Sequence, residues 1–226
     1  MSGFHVRDPI SCVDLDPKYG GCMRCTYIIL LLLLSSCGAT SHKLQWTGPV
    51  ESEDYPLDED ARRLATGSGA YCPVVQVQEY DGSYISYAKP LQVNPFFRER
   101  LIAFEEVVQR VAIRTIGVAP TAILHFGTYN CRTIAGKPKL SEHAFANAID
   151  VSGFEFQGEN GPVRISVLKD WWRGTAYSTF MHELVIELAA HPEIFRGVLG
   201  PGYPGHDDHL HLDAGPRHYI NVRVPD

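Results

Sequence analysis

Gly205-His206-Asp207-Asp208-His209-Leu210-His211-Leu212-Asp213 is the stretch on which the reading of this chain turns. From His209 to Asp213 polar and apolar residues alternate. A strand there sets His209, His211 and Asp213 on one face and sends Leu210 and Leu212 into a core. Imidazoles at neighbouring same-face positions can reach one metal ion. Upstream, Ala148-Ile149-Asp150-Val151-Ser152 is β-branched enough to form a second strand, with Asp150 on the face of Ala148 and Ser152. His143, in Leu140-Ser141-Glu142-His143, lies seven residues before Asp150, a spacing that one straight strand would split across its two faces. Either a turn around Ala146-Asn147 folds His143 back, or a helix carries both residues at i and i+7.

Two histidines and a carboxylate suit zinc. Three protein ligands leave a fourth position open for water, the mark of a catalytic site, because structural sites fill all four. A lone histidine is more often a satisfied core or surface residue. Histidines at 206, 209 and 211, with His143 and Asp150 upstream, favour the metal.

These residues resemble a known group. His143 and Asp150 followed by His206-x-x-His209-x-His211 are similar to the motif pair of the zinc D-Ala-D-Ala metallopeptidases. More narrowly, several stretches in order resemble the bacterial extensin-like C-terminal domain family: Cys131-Arg132, the segments around His143 and Asp150, Ile165-Ser166-Val167 with Trp171, Val198-Leu199-Gly200-Pro201, and the histidine stretch. The resemblance spans about residues 70 to 220. It implies an α+β fold of the D-Ala-D-Ala metallopeptidase/hedgehog-like kind, a small antiparallel sheet carrying a zinc site and packed against helices. It makes His143, Asp150 and His211 the zinc ligands, His206 the general base and His209 a group assisting the transition state. Arg132 and Ser141 become substrate-binding residues. At 146 the chain carries Ala where the peptidases usually carry Gly. The substrate class implied is the D-amino-acid-containing stem peptide of peptidoglycan, cut by metal-activated water. The alternative is a non-hydrolytic module using the same zinc to bind wall peptides. Asp213 is a candidate partner for a ligand imidazole, of the kind that sets tautomer and basicity.

Composition allows one ordinary globular domain: 226 residues, 45% hydrophobic, 20% charged, net charge -6. No basic run tracks a phosphate backbone, which argues against nucleic acid as a partner. Residues 23–37 carry the targeting signal. An arginine, a short apolar run and small residues precede Cys37, and the run is too short to span a bilayer, which needs about 20 residues. Leu34-Ser35-Ser36-Cys37 resembles a lipobox. On this reading residues 1–22 precede the true start at Met23, 23–36 are a lipoprotein signal peptide, and Cys37 is lipidated. The product is a monomer anchored to membrane in the periplasm or cell envelope. The cleavage removes Cys12, Cys22 and Cys25, leaving Cys72 and Cys131 as an even pair in an oxidising compartment and so a disulfide.

Residues 37–69, polar with clustered acids, read as a solvated tether ending in a short helix around 58–65, and 70–226 as the domain. Within the domain, 74–78 and 84–88 read as a hairpin about Asp81-Gly82. Asn94-Pro95 starts a helix over 95–116, with Leu101, Phe104, Val108 and Val111 inward and Gly117 as terminator. A strand over 122–129 leads to Arg132, its His125 a packed residue. The strand from Ala148 turns at 158–161 and returns over 163–168. A second helix over 177–190 turns Phe180, Leu184 and Leu188 inward and His182 and His191 to the surface. Arg217 and His218 belong to a terminal strand.

Overall fold

The computed structural model describes residues 41–51, 72 and 75–225. In chain order the elements are β1 (Ser41–Glu51), β2 (Gln78–Tyr80), β3 (Ser86–Tyr87), β4 (Leu91–Val93), α1 (Pro95–Thr115), β5 (Ala122–Gly127), a 3-10 turn (Glu142–Phe145), β6 (Ala148–Gly158), β7 (Gly161–Ser166), α2 (Val167–Asp170), α3 (Ala176–Ala189), β8 (Gly197–Leu199), β9 (Leu210–Asp213) and β10 (Arg217–Pro225).

The helices form where capping and periodicity put them. Asn94 is the N-cap of α1 and its Oδ1 accepts from the Phe97 amide at 2.8 Å; Pro95 follows at the first turn, where a missing N–H costs nothing. Leu101, Phe104, Val108 and Val111 are all buried. At the far end Gly117 adopts φ 89 and its amide reaches the Ala112 and Ile113 carbonyls, closing the helix as expected. Helix α3 is capped by Thr175 and buries Phe180, Leu184 and Leu188. It lies beside α1, with Arg110 and Arg114 reaching Glu187 and Glu183. One apolar core joins both helices to β6, β8, β9 and β10, with Phe154 edge-on to Phe180 and Phe104 edge-on to Phe195. Trp171 is buried and donates Nε1–H to the Arg223 carbonyl, whereas Trp172 is half exposed.

The class is α+β, but the sheet is neither small nor purely antiparallel. Eight strands run in the order β1-β10-β8-β9-β6-β5-β3, with β7 joined to β6, and the β10/β8 and β3/β5 pairs are parallel. The expected hairpin over 74–88 is also replaced: β2 pairs with β4 in a separate two-stranded sheet, while Ser86-Tyr87 joins β5. The cause is the buried Glu105 of α1. Its carboxylate accepts from the Tyr80 hydroxyl and from the Ser83 and Tyr84 amides, which pins the 81–85 turn to the helix and frees the next residues to pair elsewhere. Residues 41–51, placed in the tether by composition, form the edge strand β1 on β10. The free backbone edge of β10 supplies the partners, and Leu44 packs partly buried against the core. The signal segment, Cys37 and the helix expected over 58–65 lie outside the described residues.

His182 is a further correction. It is half-buried, donating Nε2–H to the Trp171 carbonyl and meeting the Trp171 ring edge-on, because it sits on the flank of α3 that faces α2. His125 is the packed residue expected, its Nε2 bonded to the Lys89 carbonyl. Among the described residues, no helix is long and apolar enough to cross a membrane.

Candidate metal centre

Strands β6 and β9 pair antiparallel with Asp150 directly opposite His211 and Ala148 opposite Asp213. That register brings a carboxylate and an imidazole from residues 61 apart in sequence to 3.0 Å, Oδ1 to Nδ1. His143 arrives by the turn. Ser141 caps a single 3-10 turn over Glu142–Phe145, and Ala146 ends it in the left-handed region at φ 52, ψ 37. The chain therefore reverses between His143 and Asp150, the first of the two alternatives left open above. Ala146 takes up the conformation that glycine adopts most freely, with its methyl buried, and its carbonyl accepts from the Asn94 amide at 3.1 Å. The Asn94 side chain also donates to the Phe145 carbonyl, so the residue that caps α1 also holds the turn that carries His143.

His143 Nε2, His211 Nδ1 and Asp150 Oδ1 thereby stand 3.0 to 3.1 Å from one another. Their partners assign the protons. His143 Nδ1 lies 2.8 Å from the Thr128 carbonyl, which can only accept, so Nδ1 carries the hydrogen and Nε2 is bare. His211 Nε2 lies 3.0 Å from Asp213 Oδ2, so by the same logic Nδ1 is bare. With both rings neutral, three acceptors face one another around a shared point, an arrangement that repels unless a proton or a metal cation sits between them. Donors held 2.0–2.1 Å from one ion at tetrahedral angles stand about 3.3 Å apart. The donor set fits a divalent metal with a coordination position to spare.

The second layer is as ordered as the first. Asp213 is fully buried; its Oδ1 accepts from the Gly215 amide at 2.7 Å and its Oδ2 from the Tyr219 hydroxyl as well as from His211. Gly197 faces it across β8, and a Cβ there would stand 2.1 Å from Asp213 Oδ2, so only glycine leaves room for the carboxylate. Asp213→Asn removes the charge and leaves one acceptor oxygen for the three donors His211, Tyr219 and Gly215, and is expected to weaken metal binding by about 10- to 100-fold, read by titration against a chelator of known affinity.

Electrostatics follow from this layout. Burial disfavours charge on Asp150, yet the adjoining imidazoles of His143 and His211, wherever either carries a proton, outweigh it and hold the carboxyl well below its usual range. Burial also lowers His211, but hydrogen bonds and charge from Asp150 and Asp213 prevail and lift it to about 9 in the metal-free protein. The raised value has a defined sign: the protonated imidazole's contribution to stability is complete below 6.5, its ordinary value, and is lost as pH rises through about 9. A metal must displace that proton. We therefore expect the metal-free protein to lose thermal stability from pH 6.5 to 9, while metal affinity rises over the same interval. Melting curves with and without chelator across that range test both trends.

The other expected residues gather nearby, with one exception. His209 Nε2 is 3.6 Å from Asp150 Oδ1, and the His206 ring lies 4.8 Å from that of His209 and 5.9 Å from that of His211. His206 Nδ1 donates to the Pro204 carbonyl, which leaves its Nε2 bare, and burial with neighbouring imidazoles lowers its pKa. Arg132 lines a cleft with Phe126, Thr128, Tyr129, His143 and Asp150. Cys72 and Cys131 are bonded, their Cα atoms 5.8 Å apart, immediately before Arg132. Ser141 is the exception. It is buried and its hydroxyl caps the turn by accepting from the His143 amide, which shapes the turn that carries His143. Residues that the sequence left unmarked are the Thr128 carbonyl, Gly197, Tyr219 and Phe126. The first is a backbone group, and the next two act through pairings that only the sheet order reveals.

No curated protein and no solved structure matches this chain. The family model described as "Extensin-like protein C-terminus" matches residues 59–223, well over half of the chain, and the chain belongs to that family.

Proposed function

We propose that this protein is an exported zinc-dependent peptidase that cleaves D-amino-acid-containing peptides of peptidoglycan. The observation that carries the reading is the convergence of His143, Asp150 and His211 beside a cleft that also presents Arg132, with His206 and His209 at hand. Two nitrogens and one oxygen match zinc better than the harder cations, which take oxygen donors, and three protein ligands suit catalysis. When bound, zinc supplies Lewis acidity that activates water at neutral pH and polarises a carbonyl.

The chain supplies the rest. Thr128 and Asp213 fix the two ligand imidazoles in the tautomers that turn bare nitrogens inward. Arg132 offers a cation to a substrate carboxylate or carbonyl. His206 and His209 offer imidazoles for moving the proton between water and the leaving amine. The Cys72–Cys131 bond supports an oxidising compartment. Together with the signal and lipobox-like Cys37 it favours a protein anchored by lipid in the cell envelope.

The test is digestion of purified muropeptides by zinc-loaded protein, with His206→Ala as control and zinc measured in the same samples. Shortened or uncrosslinked peptides from the native protein and intact ones from the variant support the reading. Intact muropeptides with stoichiometric zinc overturn hydrolysis and leave a wall-peptide binding module.

A further inference from the structure

We propose that Asp208 is a positioning residue, which holds His209 with the lone pair of Nε2 facing the metal triad so that His209 takes the proton of the attacking water. The inference rests on the peptidase reading above. His209 stands one residue ahead of β9, where the chain leaves the loop over 200–208, and its neighbour Asp208 turns back to accept from Nδ1 at 2.8 Å. A carboxylate accepts and does not donate, so the hydrogen of the neutral ring sits on Nδ1 and Nε2 is bare. That Nε2 lies 3.6 Å from Asp150 Oδ1, at the rim of the triad.

Two ring contacts hold it there, and a third backs them. Tyr203, His206, His209 and Phe126 form a row with successive centroids 5.2, 4.8 and 5.7 Å apart. Phe126, 63% exposed on the bulged end of β5, closes the row on the cleft side. His206 packs on the His209 ring and meets the His211 ring edge-on at 5.9 Å. The Asp208 contact and the 3.6 Å approach to Asp150 thus single out His209 Nε2 as the proton acceptor, with the His206 ring packed against it.

The step balances. An O–H bond of water breaks and its proton goes to His209 Nε2, while the oxygen bonds to the scissile carbonyl carbon. The C–N bond then breaks, Nε2 returns the proton to the leaving amine, and His209 ends neutral. Asp208 stabilises the transient imidazolium through the Nδ1–H bond.

Asp208 keeps 48% of its side chain exposed, so its removal is expected to leave the fold intact, with a melting temperature within about 2 °C of native. The experiment uses the zinc-loaded protein with nitrogen-15-labelled histidine, as native, Asp208→Ala and Asp208→Glu. Long-range proton–nitrogen spectra read the tautomer of His209, and muropeptide kinetics are measured in parallel. The expected result is Nδ1–H in the native and Glu forms. The Ala form is expected to lose it, with kcat down about tenfold, KM within about twofold and zinc affinity unchanged. A His209 that keeps Nδ1–H without Asp208, or loses it with kcat unaltered, overturns the proposal. Should the native protein hydrolyse nothing, the peptidase reading falls, and with it the proton transfer. The tautomer comparison needs no substrate and still decides whether Asp208 positions His209.

Discussion

Asp150→Asn is expected to lower zinc affinity by about a thousandfold while leaving the fold in place. Asp150 is the one anion among the three inward-facing acceptors, and without it two neutral imidazoles face a dication. The carboxylate sits at the cleft edge with its side chain 17% exposed, and the backbone ladder from Ala148 to Val151 against β9 does not depend on it. Native far-ultraviolet dichroism with a chelator titration shifted by three decades is the expected pair of readings. An unshifted titration would place any ion elsewhere.

The second large effect concerns the disulfide. Cys72 and Cys131 close a loop of sequence separation 59, and on the chain-entropy model their replacement by Ser costs about 4 kcal/mol. For a domain of this size the melting midpoint is expected to fall by about 8–16 °C. The loss is expected to begin at the metal site. Cys72 and Val75 pack on Leu140, Ala144 and Phe145, a small cluster separate from the main core and wrapped around the turn that bears His143. Asn130 donates to the His143 carbonyl and Ser141 to the Arg132 carbonyl, so slack at residue 131 passes to both. Hydrogen exchange in the Cys72→Ser/Cys131→Ser protein is expected to rise over 128–147 before it rises in α1. Equal protection of that segment in both forms, with a midpoint change under about 3 °C, would show that the cluster holds the turn without the bond.

The balance between these two stabilising layers explains what the sequence made legible. Local signals were sufficient for α1, whose cap, buried stripe and terminal glycine are all written within 24 residues, 94 to 117. They also served for β9, where alternation set His211 and Asp213 on one face. The turn at Ala146 was readable because the spacing from His143 to Asp150 demanded one of two solutions. Hidden from view were the strand pairings and the buried polar partners decided by residues distant in the chain. Composition called 41–51 solvated because strand pairing with β10 is a backbone matter that polar side chains do not advertise. Glu105 looked like an ordinary helix acid, yet buried it captures the amides that a hairpin needed. Ser141 lay close to His143 in a motif associated with substrate, and its hydroxyl went to the nearest unsatisfied amide, the usual fate of a serine before a helical turn. The Asp150–His211 register and the Tyr219 hydroxyl on Asp213 depend on strand order, which periodicity does not encode.

X-ray absorption at the zinc edge, on protein stripped with chelator and reloaded, addresses the metal centre most directly. We expect one zinc per chain with two imidazole nitrogens, the remaining ligands being oxygen and none sulfur, and the loss of one imidazole in His143→Ala or His211→Ala. Protein that reloads no stoichiometric zinc, or a spectrum indifferent to both substitutions, would contradict the convergence of residues 143, 150 and 211 on a single ion.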